Sequence, residues 1–163
     1  VYLLDAFAAL RREVDRARLL IVGDGPLLAQ LKQQAAALGI EKDVVFAGLQ
    51  RDIPRFLAMM DVFVLASTRE SFPLAAREAM AAGKAVVAPR IGGCPEVVDE
   101  GVTGYLFESR DVEGLAERLR AIAQDGRWRE FGRQARARVE RLFSRQAWVE
   151  GDEKVYRSYA DRA

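Results

Sequence analysis

Short apolar runs that do not alternate, each followed by a stretch with helical spacing, constrain this chain more than any other feature. The runs fall at 18–22, 43–47, 61–66, 85–88 and 104–107. Strict alternation would mark a sheet with one wet face, and its absence marks strands buried on both faces. Between the runs, helical periodicity covers 2–14, 26–38, 53–60 and 73–82, and then 111–124, 127–142 and 145–161 with no further strand. Strands alternating with helices predict parallel pairing through right-handed crossovers. The expected architecture is α/β, a doubly wound parallel sheet with extra C-terminal helices. Glycines at 23, 39, 48, 83, 92, 93, 101 and 104 fall between the elements, as turn punctuation should. At 163 residues the chain fits a single domain, 1–163, with no repeat, low-complexity segment or linker.

The junction after the third strand carries the most chemistry: Glu70-Ser71-Phe72-Pro73-Leu74-Ala75-Ala76-Arg77-Glu78. Glu70 falls at the carboxyl end of a strand, in the crevice where open α/β sheets take ligands. Pro73 suits the first helical turn, and a helix starting there leaves the amides of Phe72, Leu74 and Ala75 free as an anion site. Glu78 has only apolar neighbours three and four residues away: Leu74, Ala75, Ala81 and Ala82. A polar group on such a face costs roughly 2–7 kcal/mol when unpaired, and a charge more. Two readings stay open for it. One is a structural salt bridge to Arg77, Lys84 or a distant arginine; the other is a carboxylate that accepts ligand hydroxyls.

Other loops carry weaker signals. Gly23-Asp24-Gly25 follows a strand like a dinucleotide fingerprint, yet Leu28 stands where the third glycine belongs and Asp43 precedes the second strand. A nicotinamide or flavin enzyme is therefore disfavoured. What remains is a low-bulk turn beside a cleft, or simply a helix start with Pro26 in its first turn. Asp52 is placed to cap the helix that begins at Ile53. Gly92-Gly93 offers either backbone amides to an anion or a plain turn, with Glu96 just beyond it as a structural acid.

The spacing of Glu70 and Glu78, with Ala79-Met80-Ala81-Ala82-Gly83-Lys84 and Gly92-Gly93-Cys94-Pro95-Glu96 after them, resembles the donor-binding domain of the family 4 retaining glycosyltransferases. Further matches are Leu20-Ile21-Val22-Gly23-Asp24-Gly25-Pro26, Val45-Phe46-Ala47-Gly48 and Gly101-Val102-Thr103-Gly104. The matches are collinear and cover almost the whole chain. The resemblance implies the Rossmann-like half of a two-domain GT-B fold and a nucleoside diphosphate sugar as donor substrate, with no further cofactor and no metal. It implies Glu78 on the ribose hydroxyls and Glu70 facing the transferred sugar as the catalytic carboxylate. Ser71, Phe72, Pro73 and Leu74 would border sugar and phosphate, and Gly23, Gln50 and Arg51 the nucleotide. Pro73 stands where the family has glycine, which removes one donor. The glycine-rich acceptor domain is absent, and so is the first strand of this domain, whose loop in the family carries an arginine and a lysine for the diphosphate. The resemblance thus implies a domain truncated at its N-terminal edge. The acceptor, a sugar, lipid or small molecule, would be held by the missing domain.

Bulk properties narrow the alternatives. A formal net charge of +1 gives no global electrostatic argument for nucleic acid or membrane. Arginines cluster between Arg127 and Arg145, best read as solvated helix faces, with a lipid surface the minority reading. With no histidine, His-based metal sites and a histidine base are excluded. Cys94 is alone, so no intrachain disulfide forms and nothing argues for export; an inert thiol is the favoured reading. No apolar run approaches the roughly 20 residues that span a bilayer. The expectation is a cytoplasmic protein, with a peripheral seat at the inner membrane face left open. Trp128, Phe131, Phe143, Trp148 and Tyr156 are expected to dock the last helices, Trp148 and Tyr156 being the foreseen exceptions. The rival functions are a non-catalytic nucleotide or nucleotide-sugar binding module, and half of a GT-B epimerase or phosphorylase.

Overall fold

A computed structural model describes residues 2–160. Helix α1 (Tyr2–Arg11) leads into β1 (Leu19–Val22), α2 (Leu28–Ala37), a 3-10 turn at Glu41–Asp43, β2 (Val44–Gly48), α3 (Ile53–Ala58) and β3 (Val62–Val64). Then come α4 (Leu74–Ala81), β4 (Ala85–Pro89), α5 (Cys94–Val97), β5 (Gly104–Phe107), α6 (Val112–Asp125), α7 (Trp128–Leu142) and α8 (Arg145–Ala160). Every strand expected from the apolar runs is present, and all pairing among the named strands is parallel. The first helix stops at Arg11 rather than 14, because Glu13 and Val14 turn back onto the Leu10 carbonyl. The helix expected over 145–161 is described to Ala160, its last expected position lying outside the described residues.

The burial of β4 explains why the runs do not alternate. All five of its residues are buried, and successive side chains point to opposite faces. Ala85 and Val87 enter one core with Phe7, Leu115, Ile122 and Phe131. Val86 and Ala88 enter the other with Ala76, Met80, Cys94 and Val97. Helices α1 and α6 cover the first face, α4 and α5 the second, and α7 contributes Phe131 to one core and Ala135 to the other. That close seat depends on Gly132, where a Cβ would overlap the carbonyl of Gly83. Trp148 and Tyr156 on α8 are 68% and 76% exposed, whereas Phe131 is fully buried, so the foreseen exceptions hold.

The fold is the expected α/β with parallel strands, and its sheet is not continuous. It comes in two pieces, β2-β1 and β3-β4-β5, with no ladder between β1 and β3. Between them lies a largely apolar gap of about 910 Å³, lined by Leu19–Val22 on one side and Val62–Leu65 on the other, with Phe7 and Ile122 among the residues beneath. Both facing edges keep unpaired backbone groups, which is why all four residues of β1 and all three of β3 are only half-buried. Among the described residues, no helix is long and apolar enough to cross a membrane.

Candidate functional site

Parallel strands send all their following loops to one edge, and the sequence-derived residues gather there. Gly23 follows β1, Leu49 to Asp52 follows β2, the Glu70 turn follows β3 and Gly92-Gly93 follows β4. The first two loops are tied together by the Gly23 amide donating to the Gly48 carbonyl at 2.8 Å. Gln50 turns its Nε2 onto the Ala47 carbonyl at 2.6 Å, whereas Arg51 is exposed and has no side-chain partner among the described residues. Asp52 caps α3 as expected, its carboxylate accepting from the Arg55 amide at 3.3 Å. A smaller cavity of about 460 Å³ joins Tyr2, Leu27 and the stretch from Ala66 to Arg69, so the start of α1 meets the loops after β1 and β3.

Helix α4 begins one residue later than expected. Pro73 is its N-cap, with extended backbone, and its carbonyl accepts the first helical bond from Arg77. Pro73 has no side-chain oxygen to cap with, so the amides of Leu74, Ala75 and Ala76 lack acceptors within the helix. The Phe72 amide, expected in that set, lies outside the helix. Three aligned donors at a positive helix end are equipped to hold an anion.

Both carboxylates are free. Neither Glu70 nor Glu78 makes a side-chain hydrogen bond or ion pair with another described residue. The cations that the salt-bridge reading assigned to Glu78 are engaged elsewhere. Arg77 stacks on Phe72, its guanidinium carbon 4.4 Å from the ring centroid, and Lys84 Nζ donates to the Ala58 carbonyl at 3.3 Å. The desolvation cost expected for Glu78 does not arise either, because it is exposed and lines the gap beside Ala75. Glu70 is half-buried and is not among the residues lining that gap. Its charge is felt instead at Cys94. Burial, and then the Glu70 carboxylate, push that thiol up to about 11, leaving it protonated and unreactive at neutral pH.

The sequence reading missed what holds the turn in place. The Gly93 amide donates to the Ser71 carbonyl at 2.9 Å. Gly92, at φ 50°, packs so closely that a Cβ there would overlap the Glu70 carbonyl oxygen. A Cβ on Gly93 would come within 2.7 Å of the Ser71 carbonyl and the Phe72 ring. The paired glycines are thus a packing device, with the Gly93 amide already taken. Phe72 meets Phe143 edge to face, centroids 5.6 Å apart. The Gly-Gly pair was visible as a signal of close backbone approach, but its partner was not.

A doubly wound parallel α/β domain, with two free acids at its carboxyl edge, is the class of protein that this fold and site define. The family profile described as Glycosyl transferases group 1 matches residues 1–138, and the chain belongs to that family. It is 40% identical over 154 residues to the N-acetyl-alpha-D-glucosaminyl L-malate synthase of Bacillus anthracis, covering 94% of this chain and 40% of that protein. It is 37% identical over 134 residues to a GDP-mannose-dependent alpha-(1-6)-phosphatidylinositol monomannoside mannosyltransferase of Mycolicibacterium smegmatis, covering 77% of this chain and 35% of that protein. Among solved structures, Anabaena HepE in complex with UDP-glucose superposes with a TM-score of 0.83 at 29% identity, over 98% of this chain and 44% of that one. The neighbours are GT-B glycosyltransferases, so the fold is that of a GT-B half. The chain spans about 40% of the length of the Bacillus relative.

Proposed function

We propose that this chain is the donor-binding half of a retaining glycosyltransferase, which moves a hexosyl group from a nucleoside diphosphate sugar to an acceptor. The observation that carries the reading is the Glu70–Glu78 junction. Two unpaired carboxylates flank a helix start whose amides have no acceptor of their own. In this reading the acceptor-only oxygens of Glu78 hold the ribose hydroxyls. The amides of Leu74, Ala75 and Ala76 meet the donor's phosphate or sugar oxygens, beside Ser71, Phe72 and Pro73. Glu70 accepts a sugar hydroxyl and opposes the positive charge that develops at the anomeric carbon, a preorganised electrostatic role. Gly23, Gln50 and Arg51 border the nucleotide. The binding of UDP-glucose by a neighbour of the same fold supports the donor class. The donor is a substrate, and we assign the chain no resident cofactor or metal.

The gap between β1 and β3 supports reading this domain as incomplete at its N-terminal edge. The gap lies between two parallel strand edges with no ladder joining them, as a missing strand would leave it. The acceptor, a sugar, lipid or small molecule, is then held by a second domain outside Val1–Ala163. A buried lone thiol suits the cytoplasm, and the exposed arginines of α7 leave a peripheral seat on an anionic membrane face open.

Calorimetric titration of the chain with UDP, GDP and ADP at fixed salt tests the reading. We expect a dissociation constant around 1 mM, equivalent to about −4.1 kcal/mol, and no sugar transfer by the chain alone. Glu78→Ala should weaken nucleotide binding, while Glu70→Ala should leave UDP binding intact. Absence of binding by all three nucleotides would sink the donor reading. Micromolar binding or turnover would sink the claim of an incomplete domain.

A further inference from the structure

We propose that Arg138 is a positioning residue for the Glu70–Phe72 turn, acting through α5. The inference rests on the reading of Glu70 as the carboxylate that faces the donor sugar. The side chains of the turn make no hydrogen bond to another described residue; its main chain is held by Gly93 and fitted against Gly92. Wherever α5 sits, the turn must therefore follow. Helix α5 has four residues, far too few to hold its own conformation. Its far end is gripped by Arg138. Nη2 donates to the Glu96 carbonyl at 2.9 Å and Nε to the Val97 carbonyl at 3.0 Å, while Nη1 reaches the Asp99 carboxylate at 3.3 Å.

This is a grip only arginine can make. Its planar fork points several donors in fixed directions, whereas a lysine is a single ammonium on a flexible stem. A cation at the last carbonyls also complements the negative end of the helix. The side chain is 20% exposed, so water competes weakly for these donors. The helix that carries Arg138 is itself anchored, with α7 seated on the Gly83 turn through Gly132. The same helix reaches the turn a second way, because Phe143 at its C-cap meets the Phe72 ring. The Glu70 turn is thus braced by α7 from both sides, through α5 and through Phe72. A misplacement of about 1 Å in such a support is enough to impair a reacting geometry.

Arg138→Met and Arg138→Lys, made in the chain as it stands, test the assignment with two readouts. The first is calorimetry with UDP and with UDP-glucose. Arg138→Met should bind UDP about as well as the wild type, yet lose the difference in affinity that glucose makes, as Glu70→Gln should. The second is alkylation of Cys94 by iodoacetamide, which reports the seating of α5. The rate should rise about tenfold in Arg138→Met under conditions where the protein stays folded, as local opening allows. Arg138→Lys should fall between the two, and it carries the test if Arg138→Met does not fold. Equal loss of affinity for UDP and UDP-glucose, with alkylation tracking global unfolding, would reduce Arg138 to a structural role and overturn the proposal. An unchanged glucose increment with unchanged alkylation would overturn it too. If the wild-type chain binds neither ligand, the functional reading falls, and the alkylation rates alone decide whether Arg138 seats α5.

Discussion

The two halves of the sheet were built from equally apolar strands and ended in different states. In the β3-β4-β5 piece, β4 is buried throughout and β5 at three of its four positions. In the β2-β1 piece, none of the four residues of β1 is fully buried. Between Arg11 and Val64, the buried hydrophobics are Ala35, Ile40, Val44 and Leu57 alone. The difference lies in neighbours rather than in strand composition. Strand β4 has a strand on each side and helices on both faces, whereas β1 lacks a partner on its inner edge. A strand's hydrophobicity states only what it would bury if its neighbours were present. The candidate catalytic turn belongs to the better finished piece, where β3 alone has an open edge, and is braced by α7, while the Gly23 and Gln50 loops hang on the open one.

The largest effect should come from placing a charge on each side of that divide. Val87→Asp buries a carboxylate in the middle of β4 with no partner, which costs at least several kcal/mol. We expect it to abolish cooperative unfolding in urea. Ile21→Asp, on the half-exposed β1, should leave a measurable transition. Equal damage by both would show that β1 is as enclosed as β4 and that the gap closes in solution.

Next in size is the seat of α7. Gly132→Ala would force a Cβ into the Gly83 carbonyl, and such overpacking costs about 1–3 kcal/mol. Gly151→Ala, on exposed α8 with nothing within 4 Å, should be neutral or raise helicity slightly. The urea midpoint and circular dichroism of the two variants separate these outcomes. A neutral Gly132→Ala would mean that α7 is not seated on the sheet.

Alkaline titration probes the same finished piece more gently. The Cys94 thiol ionises at about 11 in the folded chain against 9.0 for an unperturbed cysteine. Between those values the unfolded chain has lost the proton and the folded chain retains it. Its contribution is therefore complete below pH 9 and is lost as the pH rises towards 11. Cys94→Val should flatten the decline in the urea midpoint over that window. An identical decline in both proteins would place the alkaline sensitivity elsewhere.

Helix caps give the smallest contrast. Asp111 accepts from the Gly114 amide at 2.9 Å in the finished piece, and Asp52 accepts from the Arg55 amide at 3.3 Å in the open one. Asp111→Ala should cost about 1 kcal/mol of global stability. The longer bond and looser surroundings of Asp52 predict a smaller loss, visible mainly as faster amide exchange in α3. Reversal of that order would contradict the comparison.

Much of this was legible beforehand because it is local. Apolar runs without alternation located each strand, and glycines located the turns between them. Glu70, Glu78 and the α4 start could be placed at one sheet edge because parallel strands deliver their loops there. Reading failed where the outcome depended on packing partners. Pro73 was a sound candidate for the first helical position, yet it became the cap, leaving Leu74, Ala75 and Ala76 as the donors. The helical neighbours of Glu78 make it a costly acid, but the residue is exposed at the mouth of a gap that those neighbours do not reveal, which removes the cost. Arg138 carried no local mark at all, since its acceptors are carbonyls distant in the chain.

By itself, then, the sequence determined the element order, the parallel pairing and the edge on which the site residues lie, because period, turn chemistry and crossover handedness act over a few residues at a time. The tertiary structure alone decided that Gly92 and Gly93 serve as a close-packing seat for the Glu70 turn, and that α7 holds that seat. These follow from which surfaces meet at contact distance, and contact between segments far apart in the chain leaves no periodic trace in either of them.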